Sequence, residues 1–175
     1  MVFLIVNNNV HVKDTRNMGL GMFSSRKLTR GLLVLSEPVV LGYESREQAI
    51  ESIVQDFGDL DDLAKFRLRR LYAGSRDPVP DGRGTGPYAE HPDRLRSLMR
   101  YNGFMGLGTG FGLALAMSTI NHSCSPNAFL YWNENIQGME LHALKDIDRD
   151  EEIFVSYVHD SPYATTQERA VRLAR

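Results

Sequence analysis

Helical periodicity is concentrated in one interval of this chain, and nearly every other patterned segment reads as a short strand. Across residues 45–74 apolar side chains fall at 49/50, 53/54 and 57, then at 60, 63/64, 68 and 71, on either side of Gly58. This is the spacing of two amphipathic helices. Asp59, Asp61 and Asp62 stand at the start of the second, and Arg67, Arg69 and Arg70 cluster near its end before Gly74, the charge order that complements a helix dipole. The basic cluster is therefore read as a solvated helix end in preference to a nucleic-acid patch. A third helix is expected from Pro92 or Asp93, carrying Leu95, Leu98 and Met99, because proline is tolerated in a first helical turn. Elsewhere, residues 10–13 alternate, 32–35 and 39–42 form β-like runs around Glu37-Pro38, and 127–132, 139–144 and 152–157 have β composition, with a turn at 133–138. Helices that do not alternate with strands exclude a doubly wound sheet. The expected fold class is α+β: mainly β, built of short twisted sheets, with a helical and loop insertion at about residues 44–100.

At 175 residues the chain suits one domain with a real core. Its formal net charge of −2 gives no general pull towards nucleic acid or an anionic membrane. No apolar run approaches the roughly 20 residues of a membrane span. Residues 1–6 are apolar but lack a basic segment and a small-residue cleavage site, so a secretory signal is not expected. The single cysteine, Cys124, excludes an internal disulfide and suits a reducing compartment, nuclear or cytoplasmic. Residues 75–92 hold several prolines and glycines and read as an irregular surface loop. Residues 106–112, with glycine at every second position, lack the Gly-x-Gly-x-x-Gly spacing of a dinucleotide loop and read as a flexible connection. His11, His91, His142 and His159 show no metal-ligand spacing.

The polar block Asn121-His122-Ser123-Cys124-Ser125-Pro126-Asn127 directly follows the mostly apolar residues 113–120. Buried polar side chains must find partners, and an amide beside an imidazole offers donors and acceptors suited to a heteroaromatic ligand. The same residue types form tight turns, so the block reads equally as a site or as a turn before a strand. Three further features stand apart: Gly19-Leu20-Gly21 with Arg26, Gly31 and Ser36-Glu37-Pro38 downstream, Tyr101-Asn102-Gly103-Phe104, and Glu151-Glu152-Ile153-Phe154-Val155-Ser156-Tyr157. Taken singly, Gly-x-Gly is a common hairpin, Asn-Gly an ordinary turn, and a strand tyrosine a satisfied core residue.

Together, and in this order, they resemble the SET-domain protein methyltransferases: residues 121–127 their Asn-His-Ser-Cys-x-Pro-Asn signature, 151–157 their second signature, and 19–23 their opening hairpin. Residues 101–104 are similar to a segment of the SET and MYND branch, although the paired cysteines of a MYND finger are absent. The resemblance implies a C-terminal pseudoknot that brings the two signatures together. It also implies S-adenosylmethionine as cofactor, bound by Gly19, Gly21, Asn102, Asn121 and His122, and Tyr157 as the catalytic residue orienting a lysine amine of a histone or other protein. No direct nucleic-acid or membrane partner is expected. In many relatives the cysteine equivalent to Cys124 joins three cysteines of a following post-SET segment around zinc. This chain has no such cysteines, so no metal ion is expected and the post-SET segment is expected to be missing. Asp150 stands where relatives carry glycine, and Met18 and Leu20 replace more polar or basic hairpin residues. Two other functions remain open: a SET fold that binds proteins without turnover, and a hydrolase using Cys124.

Overall fold

The computed structural model describes residues 4–15, 18–74, 88–105 and 110–157, together with 165, 167, 168 and 171. Its elements, in order, are β1 (Leu4–Ile5), β2 (Val10–Asp14), β3 (Leu20–Ser24), β4 (Leu33–Pro38), β5 (Leu41–Tyr43), α1 (Arg46–Asp56), α2 (Asp62–Arg69), α3 (Pro92–Asn102), β6 (Phe104–Met105), β7 (Phe111–Leu113), β8 (Asn121–His122), β9 (Ala128–Asn133), β10 (Gly138–Ala143) and β11 (Phe154–Val155). Single 3-10 turns follow α1 at Phe57–Asp59 and precede β8 at Met117–Thr119. The strands form three small sheets of order β1-β2-β3, β4-β10-β9 and β5-β7-β6, and the pair β11-β8. The pairing is antiparallel throughout except between β8 and β11. The mainly β architecture with a few inserted helices agrees with the sequence expectation.

The helices begin where local chemistry caps them. Ser45 accepts from the Gln48 amide at the start of α1, and Asp61 from the Ala64 amide at the start of α2. His91 does the same for Asp93, with proline in the first turn of α3. Each cap satisfies an amide that has no partner within the helix. The apolar faces of α1 and α3 then meet and Leu68 of α2 joins them: Ala49, Ile53, Leu68, Leu95, Leu98 and Met99 belong to one buried cluster. A second cluster lies among the sheets and includes Val10, Met22, Leu28, Leu141, Ile147 and Ile153. The segment 111–116 joins the two. Phe111, Leu113 and Leu115 enter the helical cluster while Ala114 and Ala116 enter the β cluster; the alternation begins in the extended strand 111–113 and carries on into the turn at 115–116.

One expectation needs correction here. Residues 111 and 112, read as the end of a flexible connection, join Leu113 in the central strand of the β5-β7-β6 sheet. Gly112 allows this, because a Cβ there would sit 2.8 Å from Val39 Cγ1 and 3.0 Å from the Leu41 carbonyl oxygen. Glycine lowers β propensity in a sequence pattern, yet here it permits close approach of the neighbouring chain. The rest of that connection, residues 106–109, and the Pro/Gly-rich residues 75–87 lie outside the described residues.

Candidate active site

Parallel pairing of β8 with β11 sets the two polar signatures side by side, with Asn121 opposite Phe154 and His122 opposite Val155. Asn127, only 3 % exposed, braces the junction. Its Oδ1 accepts from the Phe154 amide at 2.7 Å, and its Nδ2 donates to the Glu152 carbonyl at 2.8 Å and to Glu151 Oε1 at 3.3 Å. One carboxamide thus supplies both a donor and an acceptor to a strand that otherwise pairs over two residues. The N-terminal hairpin is tied to the same place. Ile153 donates to the Met22 carbonyl at 2.8 Å, and Ser24 and Asp150 bond Glu151 and Ser24 carbonyls at 3.0 Å each. Asp150 adopts φ 63° to make this turn, a left-handed conformation that aspartate tolerates better than most residues.

Asn121 connects all three signature segments. Its Nδ2 donates to the Leu20 carbonyl at 3.0 Å and to Glu152 Oε1 at 2.8 Å. Gly21 packs against the same carboxylate: a Cβ there would lie 2.6 Å from Glu152 Oε1 and 2.7 Å from Thr15 Cγ2. Gly19 differs. It has φ +72°, and a Cβ would meet nothing within 4 Å, so its surroundings leave room for a ligand to approach the main chain.

His122 and Tyr157 form the other side of the site. Their ring centroids are 5.3 Å apart at 48°, and the Tyr157 amide donates to His122 Nδ1 at 3.0 Å. An accepting Nδ1 places the neutral imidazole proton on Nε2, which lies 3.3 Å from Cys124 Sγ. Although Tyr157 is 52 % exposed as a whole, its hydroxyl end is enclosed and donates to the Ile120 carbonyl at 2.5 Å. Desolvation pushes the phenol pKa up to about 12, so the neutral form prevails at physiological pH.

Asn102, 8 % exposed, closes α3. Its Nδ2 donates to the Tyr72 and Leu98 carbonyls at 2.7 Å each, and its own carbonyl accepts from Ser118 at 2.9 Å. It is thereby linked to the segment leading into β8, while both of its amide protons serve the protein itself. Glu37, which the sequence offers as a structural or surface carboxylate and not as a catalytic acid, receives the Ala116 and Met117 amides at 2.9 Å. Burial raises its pKa, opposed by these amides and by the Arg67 charge.

Sequence reasoning missed the setting of the basic cluster. Arg70 is only 11 % exposed in its side chain and makes a 3.3 Å ion pair with Asp14. The Nε atoms of Arg67 and Arg69 are buried. The helix end therefore packs partly inward, where Arg70 meets Asp14 of the hairpin, while Leu63 and Phe66 of α2 stay exposed. Arg67, Arg70 and Phe66 share a small apolar cleft with Val12 and Leu20 of the hairpin and with Leu115, Ala116 and Thr119 before β8. Charge order located the helix end correctly; a tertiary contact decided what faced it.

Comparison with known proteins agrees with this geometry. The SET domain family model matches residues 19–158, most of the chain. The chain belongs to the SET-domain family. It is 26 % identical over 142 residues to histone-lysine N-methyltransferase set5 of Schizosaccharomyces pombe, covering 81 % of this chain and 40 % of that protein. It is 45 % identical over 49 residues to a SET and MYND domain-containing protein of Dictyostelium discoideum, covering 28 % of this chain and 14 % of that one. The chain thus spans two fifths or less of the length of these relatives. Among solved structures, a candidate histone methyltransferase of Plasmodium falciparum superposes with a TM-score of 0.50 at 16 % identity, covering 91 % of this chain and 100 % of that one. A chain of ctPRC2 in complex with H3K27me3 and H3K27M gives a TM-score of 0.50 at 16 % identity over 91 % of this chain and 16 % of that one. At these identities the structures speak for the fold, and the fold is that of SET domains.

Proposed function

We propose that this protein transfers a methyl group from S-adenosylmethionine to a lysine side chain of a protein substrate. The observation that carries the reading is the meeting of Asn121, His122, Tyr157 and the Gly19–Gly21 hairpin through β8 and β11. The curated relatives named histone-lysine methyltransferase support it and point to a histone or another protein as substrate, which suits a nuclear or cytoplasmic location. The domain is read as one SET unit whose helical insertion, at about residues 44–100, divides it.

The residues present fit the cofactor. Gly19 leaves open space beside its main chain, and Asn121 bonds the carbonyl of the next residue, Leu20, with His122 following it in β8. Gly21 and Asn102 complete the set, Gly21 by keeping Glu152 close and Asn102 through the carboxamide oxygen left after its two amide donations. Bound there, the cofactor supplies an electrophilic methyl on a sulfonium. A lysine amine must be neutral to attack in line, and its ordinary pKa of about 10.4 keeps it charged in water. Apolar surroundings and a nearby positive charge favour loss of that proton. Tyr157 already spends its hydroxyl proton on the Ile120 carbonyl, so its oxygen presents lone pairs that can accept from the amine and aim it. Its raised pKa makes positioning, and not proton abstraction, the task of the phenol.

The test combines binding with turnover. Titration calorimetry is expected to show saturable S-adenosylmethionine binding. Tyr157→Phe should keep that binding and lose about 100-fold in methyl transfer, the cost of a misaligned nucleophile. Equal labelling of histones and other proteins by wild type and variant would remove Tyr157 from the mechanism. Cofactor binding without transfer by the wild type would favour a protein-binding SET module.

A further inference from the structure

We propose that Arg67 and Arg70, at the end of α2, hold the carboxylate at the methionine end of the cofactor; this rests on the cofactor reading above. Three observations converge on it. The arginines line a cleft together with Leu20, between the two hairpin glycines, and Thr119, two residues before Asn121. Leu20 also ties the cleft to the residues assigned to the cofactor, because its carbonyl accepts from Asn121 Nδ2 at 3.0 Å. Arg67 Nε is buried and has no hydrogen-bond partner among the described residues. Orphaned buried donors are uncommon in folded proteins, and here the orphan belongs to a side chain that also lines the cleft.

The charges around the cleft support an anion. Met18 and Leu20, on either side of Gly19, carry no charge, and the charged side chains that line the cleft are Arg67 and Arg70. Arg70 touches Asp14 through one nitrogen at 3.3 Å, which leaves the rest of its five-donor fork available. The carboxylate of Glu37 feels Arg67 but is occupied by the Ala116 and Met117 amides. The walls from Val12, Leu20, Phe66 and Leu115 are apolar, and an ion pair is stronger where water is excluded. A guanidinium fork matches a carboxylate geometrically. The insertion helix thus adds two guanidinium groups to the hairpin's own Lys13 and Arg16.

The experiment compares two ligands, S-adenosylmethionine and its decarboxylated analogue, by titration calorimetry on wild type, Arg67→Gln and Arg70→Gln. Wild type should bind the complete cofactor about tenfold or more tightly than the analogue, the range of a charge-assisted hydrogen bond. Each variant should lose most of that preference while binding the analogue as wild type does. A preference that survives in both variants overturns the proposal and leaves the cofactor reading standing. Equal loss of both ligands in the variants also overturns it, since the arginines would then act on the fold alone. Wild type that binds neither ligand would overturn the cofactor reading itself, and this one with it.

Discussion

Single side chains in this domain matter chiefly as connectors. Asn121, Asn127 and Glu152 each bond main chain or side chain more than 20 residues away in sequence, so each restrains segments that no local pattern could hold together. Glu37 does this under tension between burial, which raises its pKa from 4.5, and the amides that favour its charge. Because folding raises that pKa, the protonated form is favoured in the native state, and the contribution to stability is full below the ordinary value. It declines as pH rises through the folded value. Glu37→Gln keeps an oxygen for the Ala116 and Met117 amides without the charge. Its stability relative to wild type should therefore increase as pH is raised from about 4 to about 7. Urea denaturation at several pH values would measure this, and a difference independent of pH would contradict it.

The helices were legible in the sequence because their causes are local. Ser45, Asp61 and Pro92 mark the starts, and the apolar period continues across Gly58 where α1 gives way to a short turn and then α2. Strands were legible where alternation or β-branched residues announced them, as in β2 and β10, and not where close approach mattered more than propensity. Strand β7 is one such case and the start of β10 another. Gly138 pairs with Pro38, and a Cβ there would collide with the Glu37 carbonyl oxygen and lie 2.5 Å from Pro38 Cα. Backbone cannot yield as a flexible side chain can. Gly138→Ala should destabilise the protein by about 1–3 kcal/mol, the cost of overpacking. Chemical denaturation would register the loss, and a value near zero would mean the β4–β10 pair can shift to admit a methyl group.

At the scale of the molecule, two buried clusters share one segment. Residues 111–116 send Leu113 and Leu115 one way and Ala114 and Ala116 the other, so loss of either cluster exposes one face of the same chain. Cooperative unfolding follows from this sharing. Trp132 reports from the β cluster, and far-ultraviolet circular dichroism reports largely on the helices. The two signals should give coincident transitions in urea. Leu98→Ala, at a position 1 % exposed in the helical cluster, should lower stability by about 2–5 kcal/mol and shift both signals together. A helical signal lost ahead of the tryptophan signal would show that the insertion unfolds by itself.

The sequence by itself determined the mainly β class, the helical interval, the places where helices begin and the identity of the polar signatures, because these depend on residue type and short-range spacing. Only the tertiary structure decided that Gly21 is required by Glu152 while Gly19 faces open space, that Asn102 spends its amide protons within the protein, and that the arginines of α2 turn inward. Such facts depend on which distant segments meet, and neither composition nor periodicity within one segment carries that information.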